Sequence, residues 1–415
     1  MAGEELAEGE RPHWLRHTTF FLSGQTISLF GSSLVQYAIV WYLTLQTQSG
    51  LVLMLATVFG FVPQAIVSVF GGVWADRYNR KLLVIGADGT IAVTTLILAV
   101  LLWQGVDGLW PVYLTLAIRS AGAGIQTPAV NALLPQIVPT AKLIRVNGIN
   151  MSLQSALTIV APAAAAALFA AFGLQAVLFV DVVTAVIGIT LVAVIPVVTL
   201  VSAADRGGYL DNLRDGLRYV WGHAVIRRTL VFFAVVFFLC APPGYLTPLM
   251  VVRTFGDEVW RLTANELAFG IGMLAGGAAI AAWGGLRDRM RMLIITGFVF
   301  GGLSVAAGLC GDILGMSGTF WAFLGVMVLF GLGVAAYMTT ATTLFQEQVE
   351  PEMQGRVFGV EGIVIALAMP VGMLVFGPLA DAISVEWVLV ISGALMVLVT
   401  LAASWRAPRA LAPAP

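Results

Sequence analysis

Gly72-Val73-Trp74-Ala75-Asp76-Arg77-Tyr78-Asn79-Arg80-Lys81 is a short charged stretch between two long apolar runs. Apolar runs of roughly 18 or more residues have the length of membrane spans. The stretch is therefore a turn at a membrane surface, and Arg77, Arg80 and Lys81 hold that turn on one side. Working outward from it, the same alternation of apolar run and short polar turn recurs along the whole chain.

Composition agrees. Of 415 residues, 59% are hydrophobic and 10% charged, against about a quarter charged in soluble domains. The formal net charge of -1 supplies no general basic field, which argues against a nucleic-acid partner. Cys240 and Cys310 both lie in apolar runs and read as buried free thiols. Residues 1–10 are acidic and the first apolar run exceeds the length of a signal-peptide core, so no cleavable signal is expected.

Twelve spans are predicted at 18–45, 51–75, 82–104, 109–128, 147–170, 174–198, 229–252, 265–284, 292–310, 319–342, 357–377 and 387–405. The expected architecture is an all-α polytopic membrane protein of two six-helix bundles. Residues 1–17 form a tail, 18–198 the first bundle, 199–228 a linker, 229–405 the second bundle and 406–415 a second tail. With the N-terminus inside, all 21 Lys and Arg residues except Arg119, Arg253 and Arg261 fall in inner segments, which predicts that both termini are cytoplasmic. The linker is the longest polar connection. Asp211, Arg214, Asp215 and Arg218 suit either an amphipathic helix at the interface or a plain solvated segment. After the eighth span, Gly284-Gly285-Leu286-Arg287-Asp288-Arg289-Met290-Arg291 echoes the first motif at the equivalent place in the second half. Carriers are built from such repeats, with the substrate site near the midplane between them.

The first stretch has the form G-x-x-x-D-R-x-x-R-K and resembles the loop between helices 2 and 3 of the major facilitator superfamily. Further stretches resemble its macrolide-efflux branch almost end to end, including Gly24-Gln25-Thr26-Ile27-Ser28, Ile118-Arg119-Ser120, Thr127-Pro128-Ala129-Val130-Asn131-Ala132, Leu344-Phe345-Gln346-Glu347 and Gly355-Arg356-Val357-Phe358. The resemblance implies two pseudo-symmetric six-helix bundles, proton-coupled export and no cofactor beyond the proton gradient. Two departures stand out. Ala161-Pro162-Ala163-Ala164-Ala165-Ala166 replaces the Gly-rich antiporter signature of helix 5, and Asn79 replaces a usual Gly. Alanine still permits close helix packing, and Asn tolerates a left-handed turn.

The resemblance assigns Gly72, Asp76, Arg77, Arg80 and Lys81 to a gating latch; a topology anchor is the plainer alternative. Asp76 is expected to cap the third span, where a carboxylate suits the positive helix end. Arg119 lies about ten residues, roughly 15 Å, into the fourth span, where an unpaired charge is expensive. It needs the bundle interior, water or an acidic partner. Arg119 and Gly124 meet the family's proton-linked R-x-x-x-x-G pattern. Depth makes Asp181 a better partner for it than Asp88, and both acids read equally as structural or proton-carrying. Glu361 reads as a surface pair with Arg356 or as a titrating group.

Gln25, Ser28, Ser32 and Gln36 form a polar stripe at helical spacing, and Asn150 and Gln154 belong to another; neither stripe can face lipid. Tyr37, Trp41, Tyr245, Tyr337 and Met338 are candidates to line an apolar cavity, with ordinary packing as the alternative for each. No converging nucleophile set, metal spacing or phosphate-binding loop occurs in the sequence, so an enzyme is not expected. The expectation is a monomeric, multi-pass exporter of small amphipathic molecules in the bacterial plasma membrane, exchanging them for protons. A dedicated exporter of one metabolite, such as a bile acid or siderophore, and a transport-dead sensor or scaffold are the alternatives.

Overall fold

A computed structural model describes residues 13–106, 108–196, 209–310 and 316–406; the side chains of Asp76, residues 209–212, residues 316–318 and Arg406 lie outside the description. So do most of the two predicted tails and residues 197–208, the last two of the predicted first bundle and the first ten of the predicted linker. Every described regular element is helical: α1 (Trp14–Thr47), α2 (Gly50–Arg77), α3 (Arg80–Trp103), α4 (Leu109–Ile137), α5 (Leu143–Ala193), α6 (Tyr209–Gly222), α7 (Ala224–Leu239), α8 (Thr247–Met250), α9 (Val259–Trp283), α10 (Arg289–Leu309), α11 (Met316–Gln348), α12 (Pro351–Ala382) and α13 (Val385–Arg406). Short 3-10 and π turns join some of them. In lipid this is the required solution, because a helix satisfies its backbone donors and acceptors internally.

Ten segments are long and apolar enough to cross a membrane. One of them, 54 residues long, contains α5, which bends at Gly173, where φ is 76°. Side-chain-bearing residues avoid that region and glycine does not. Gly173, non-helical at φ 76° and ψ -177°, thus breaks the helix and separates the predicted fifth and sixth spans. α4 has 29 residues and carries Arg119, which completes the set of twelve spanning helices. The predicted seventh span is irregular. α7 passes through wide turns at Pro242–Leu246 and Val251–Phe255 on either side of α8. Pro242, Pro243 and Pro248 supply no backbone N–H there, so the regular ladder is interrupted. Cys240 is buried and free; Cys310, expected to be buried, is only partly so.

The chain divides into two compact units, Met1–Val40 with Phe59–Tyr209 and Trp41–Val58 with Leu210–Pro415. In the first, α3 packs on α4 and α5; in the second, α10 packs on α11 and α13. Both units use glycine for close helix approach, as membrane bundles do where apolar burial gives no drive. A Cβ on Gly71 of α2 would lie 2.4 Å from the Gly124 carbonyl of α4. In the second unit a Cβ on Gly272 of α9 would lie 2.0 Å from the Val328 carbonyl of α11.

The start of α3 corrects the sequence reading. Its N-cap is Asn79, not Asp76: the Asn79 side chain accepts from Lys81 N at 3.0 Å and Leu82 N at 3.4 Å, while Asp76 falls inside α2. Asn79 is extended (φ -62°, ψ 111°), so no left-handed turn occurs there. The Asn side chain is used as a cap instead.

Candidate functional site

A buried charge cluster forms the centre of the first unit. Arg119 of α4 donates to the carboxylate of Asp181 on the second arm of α5 and to the Thr95 hydroxyl of α3. The Asp181 side chain is fully buried and that of Arg119 is 11% exposed, so solvent screens the pair little. Ser32 of α1 donates to the other carboxylate oxygen at 3.2 Å, and the Thr95 hydroxyl lies 3.1 Å from the first. Three elements, α1, α3 and α4, therefore converge on one carboxylate carried by α5. Satisfied lone pairs and a partnered cation are what make a buried ion tolerable.

Glycine brings α1 close enough for this. A Cβ on Gly31 would lie 1.9 Å from Thr184 Oγ1 and 3.0 Å from Asp181 Cα; two turns away along α1, the Gly24 carbonyl would lie 2.8 Å from a Cβ on Gly188. The Gly24–Gly31 side of α1 thus presses on the second arm of α5 and delivers Ser32 to Asp181.

Asp88 is not part of this cluster. It is 2% exposed and accepts from Gln126 of α4, a partner absent from the sequence reading because an amide carries no charge signature. Glu361, in α12, is 5% exposed. Arg356, considered as its partner, meets Asp215 of α6 at 3.3 Å.

The first motif ties helix ends together within its own unit. Arg80 Nε donates to the Ala75 carbonyl in the last turns of α2 (2.8 Å) and Nη1 to the Ala132 carbonyl near the end of α4 (2.8 Å). Lys81 Nζ donates to the carbonyls of Ala193 (2.6 Å) and Ile195 (2.8 Å) at the end of α5. Cations there meet the negative ends of helix dipoles, worth about 0.3–1 kcal/mol each. Gly72 is half-buried, and Arg77 is exposed at the end of α2. The echo motif repeats the pattern. Asp288 caps α10 by accepting from Arg291 N at 3.0 Å. Arg289, the residue after that cap as Arg80 follows Asn79, reaches back to the Gly284 carbonyl at 3.1 Å and across to Glu347 of α11 at 3.2 Å.

At the opposite end of its spans from the echo motif, the second unit holds a clamp that sequence reasoning missed. Asp381, near the end of α12, accepts from Gly50 N (2.7 Å), Leu51 N (2.9 Å) and Ser49 Oγ (2.7 Å). It thereby caps α2 from a distant helix. Arg253 donates to Asp381 at 2.9 Å and to the Ala380 carbonyl at 2.6 Å. The available signal was that Arg253 sits on the side poor in basic residues. Asp381→Leu is expected to fray the first turn of α2 and cost about 1 kcal/mol, the scale of a lost cap. Faster amide exchange at 50–53 checks it; unchanged exchange would refute the capping role.

The proposed cavity residues are scattered in environment. Gln25, Ser28, Trp41 and Tyr337 are buried. Tyr37, Asn150, Tyr245 and Met338 are half-buried, and Gln36 and Gln154 are exposed. Tyr337 stacks on Phe233 (centroids 5.6 Å apart) and also meets Phe237 and Phe300, so its ring belongs to an aromatic core of the second unit. Ser32 is committed to Asp181.

The spanning helices and paired end-motifs define a polytopic secondary carrier. Comparison with known proteins is specific. The Major Facilitator Superfamily model matches residues 21–372 and 248–414. Macrolide efflux protein A of Streptococcus pyogenes is 34% identical over 390 residues, covering 91% of this chain and 93% of that protein; its Enterococcus faecalis counterpart is 33% identical over 328 residues, covering 76% and 97%. Among solved structures, the nucleoside transporter NupG superposes with a TM-score of 0.72 at 13% identity, covering 94% of this chain and 98% of that one. A bacterial homologue of the human lysosomal transporter Spinster gives 0.69 at 13% identity, with 96% of each chain covered. The chain belongs to the major facilitator superfamily and is macrolide-efflux-like within it.

Proposed function

We propose that the protein exports amphipathic compounds of the macrolide type from a bacterial cell by proton-coupled alternating access. The observation that carries this reading is the 34% identity, over 91% of the chain, to a protein named for macrolide efflux. The site supports it with a buried ionic cluster in one unit and further buried carboxylates at Asp88 and Glu361. In this reading Asp88 or Glu361 takes up a proton, while Arg119 and Asp181 hold the helices that move. Gln36, Tyr37, Gln154 and Met338 supply polar and soft apolar contacts to substrate. Substrate and proton stabilise opposite-facing states, since a ligand shifts such an equilibrium only through differential affinity. The proton gradient is the energy source, no cofactor takes part, the working unit is a monomer, and both termini are cytoplasmic.

The test uses purified protein in liposomes with an imposed pH gradient and a lumenal pH dye. A macrolide, a bile acid, a siderophore and a cationic dye are added in turn. The expected result is proton release driven by the macrolide and the dye. A response to the bile acid or siderophore alone would establish a dedicated exporter. Macrolide binding without proton movement would overturn the coupling.

A further inference from the structure

α6 has two differently occupied faces. One is docked on the second unit. Val220 is 3% exposed and packs with Ile226, Phe345, Val349, Val357 and Val360, with Leu213 and Tyr219 against the same cluster. Gly216 is pressed so close to α12 that a Cβ there would lie 2.6 Å from the Arg356 carbonyl. Asp215 pairs with Arg356 at 3.3 Å, and Glu350 N lies 3.4 Å from the Tyr219 hydroxyl, to which it donates.

The other face is open and unlike an ordinary solvated surface. Leu217 is 41% exposed and Trp221, one turn on, is 61% exposed; Val225, at the start of α7, is 42% exposed. Arg214 and Arg218, also one turn apart, are exposed beside them, as is Arg228. Arg227 stacks over the Trp221 ring at 5.8 Å and donates to the Trp221 carbonyl at 2.7 Å, which holds the indole in place. Only His223 separates α6 from α7, and α7 opens a membrane-crossing segment. The exposed face therefore sits at the level of the bilayer surface.

We infer that this face of α6 is a docking surface for anionic phospholipid, with Leu217 and Trp221 inserted at the headgroup boundary and Arg214, Arg218 and Arg228 on the phosphates. The charge argument selects the occupant. Among the described side chains of 213–228 the one acid is Asp215, which is 43% exposed and paired with Arg356 at 3.3 Å, so Arg214, Arg218, Arg227 and Arg228 leave the stretch basic. An indole with arginines one turn away is the pattern that favours the interface of an anionic leaflet. Because the docked face contacts α12 at Arg356, just before the buried Glu361, lipid held on α6 bears directly on the second unit. The inference does not depend on which compound is carried.

The test uses the full-length protein in nanodiscs made with phosphatidylglycerol or phosphatidylcholine brominated on the acyl chains. The emission of Trp221 is obtained as the difference between wild type and Trp221→Phe. The expected result is quenching that is strong with brominated phosphatidylglycerol in a mixed bilayer and weak when phosphatidylcholine carries the bromine. Selectivity should fall on the order of tenfold or more in Arg214→Gln/Arg218→Gln/Arg228→Gln, at a few-fold per arginine near a charged surface. It should also fall in wild type as salt is raised, a readout that stands if the triple variant fails to fold. No quenching by either lipid would overturn the proposal and leave the face to water or a soluble protein. Equal quenching by both, insensitive to the arginines and to salt, would overturn it as well.

Discussion

Asp181→Ala is expected to abolish transport and to lower the stability of the protein by about 3–5 kcal/mol, the cost of leaving one member of a buried ion pair unpartnered. Arg119 would then be a charge with 11% side-chain exposure and no carboxylate beside it. Ser32 would lose its acceptor and Thr95 its carboxylate neighbour. Asp181→Asn keeps the shape and an acceptor oxygen but removes the charge, so it separates geometry from electrostatics. The decisive comparison is the double variant Arg119→Leu/Asp181→Leu. Replacing both members of a buried pair by apolar residues is often neutral or stabilising, so the double variant should recover much of the thermal midpoint lost in Asp181→Ala. If transport returns with stability, the pair is structural glue. If stability returns and transport does not, the charges take part in the transport cycle. An unchanged midpoint in Asp181→Ala would mean that the pair contributes nothing.

Gly31→Val should be nearly as damaging, by a different route. Overpacking a close contact costs about 1–3 kcal/mol and displaces backbone. Here even the first added carbon would overlap Thr184 Oγ1 at 1.9 Å, with Asp181 Cα at 3.0 Å behind it. α1 must move away from the second arm of α5, and Ser32 must move with it from Asp181. Transport is expected to fall more than expression or thermal stability, because the displacement opens the charge cluster while the apolar packing of α1 elsewhere adapts. Thr184→Ala in the same chain removes the nearest clashing atom and should restore part of the loss. No difference between Gly31→Val with and without Thr184→Ala would show that the contact is not what limits the variant.

Several features were legible in the sequence because they depend on position along one chain. Span number follows from apolar run length, as does the break between 170 and 174, which the structure places at Gly173. That Arg119 would meet Asp181 and not Asp88 followed from depth along a helix of known rise. Depth is one coordinate, however, and rotation about the helix axis is another. Low amphipathic contrast in membrane spans, apolar on nearly all sides, leaves rotation almost unmarked. Thus Gln126 as the partner of Asp88 and Tyr337 as the centre of an aromatic cluster were not readable.

Two local assignments also depended on the fold. Asp76 and Asn79 are both suitable caps by residue type; the helix boundary, set by where α2 ends at Arg77, decides for Asn79. Arg356 had an acid within one helical turn and a half, but the docking of α6 supplies Asp215. By itself the sequence determined that the chain is a helical membrane protein and how many times it spans, since hydropathy and charge are additive along the chain. The carrier reading came from the motif resemblance, and Glu361, left open as a surface pair with Arg356, is buried. The tertiary structure alone decided which charges meet, that the α1–α2 corner Trp41–Val58 belongs with the second unit, and which face of α6 is left open. Those outcomes depend on contacts between residues hundreds of positions apart, such as Asp381 with Gly50, for which linear pattern carries no signal.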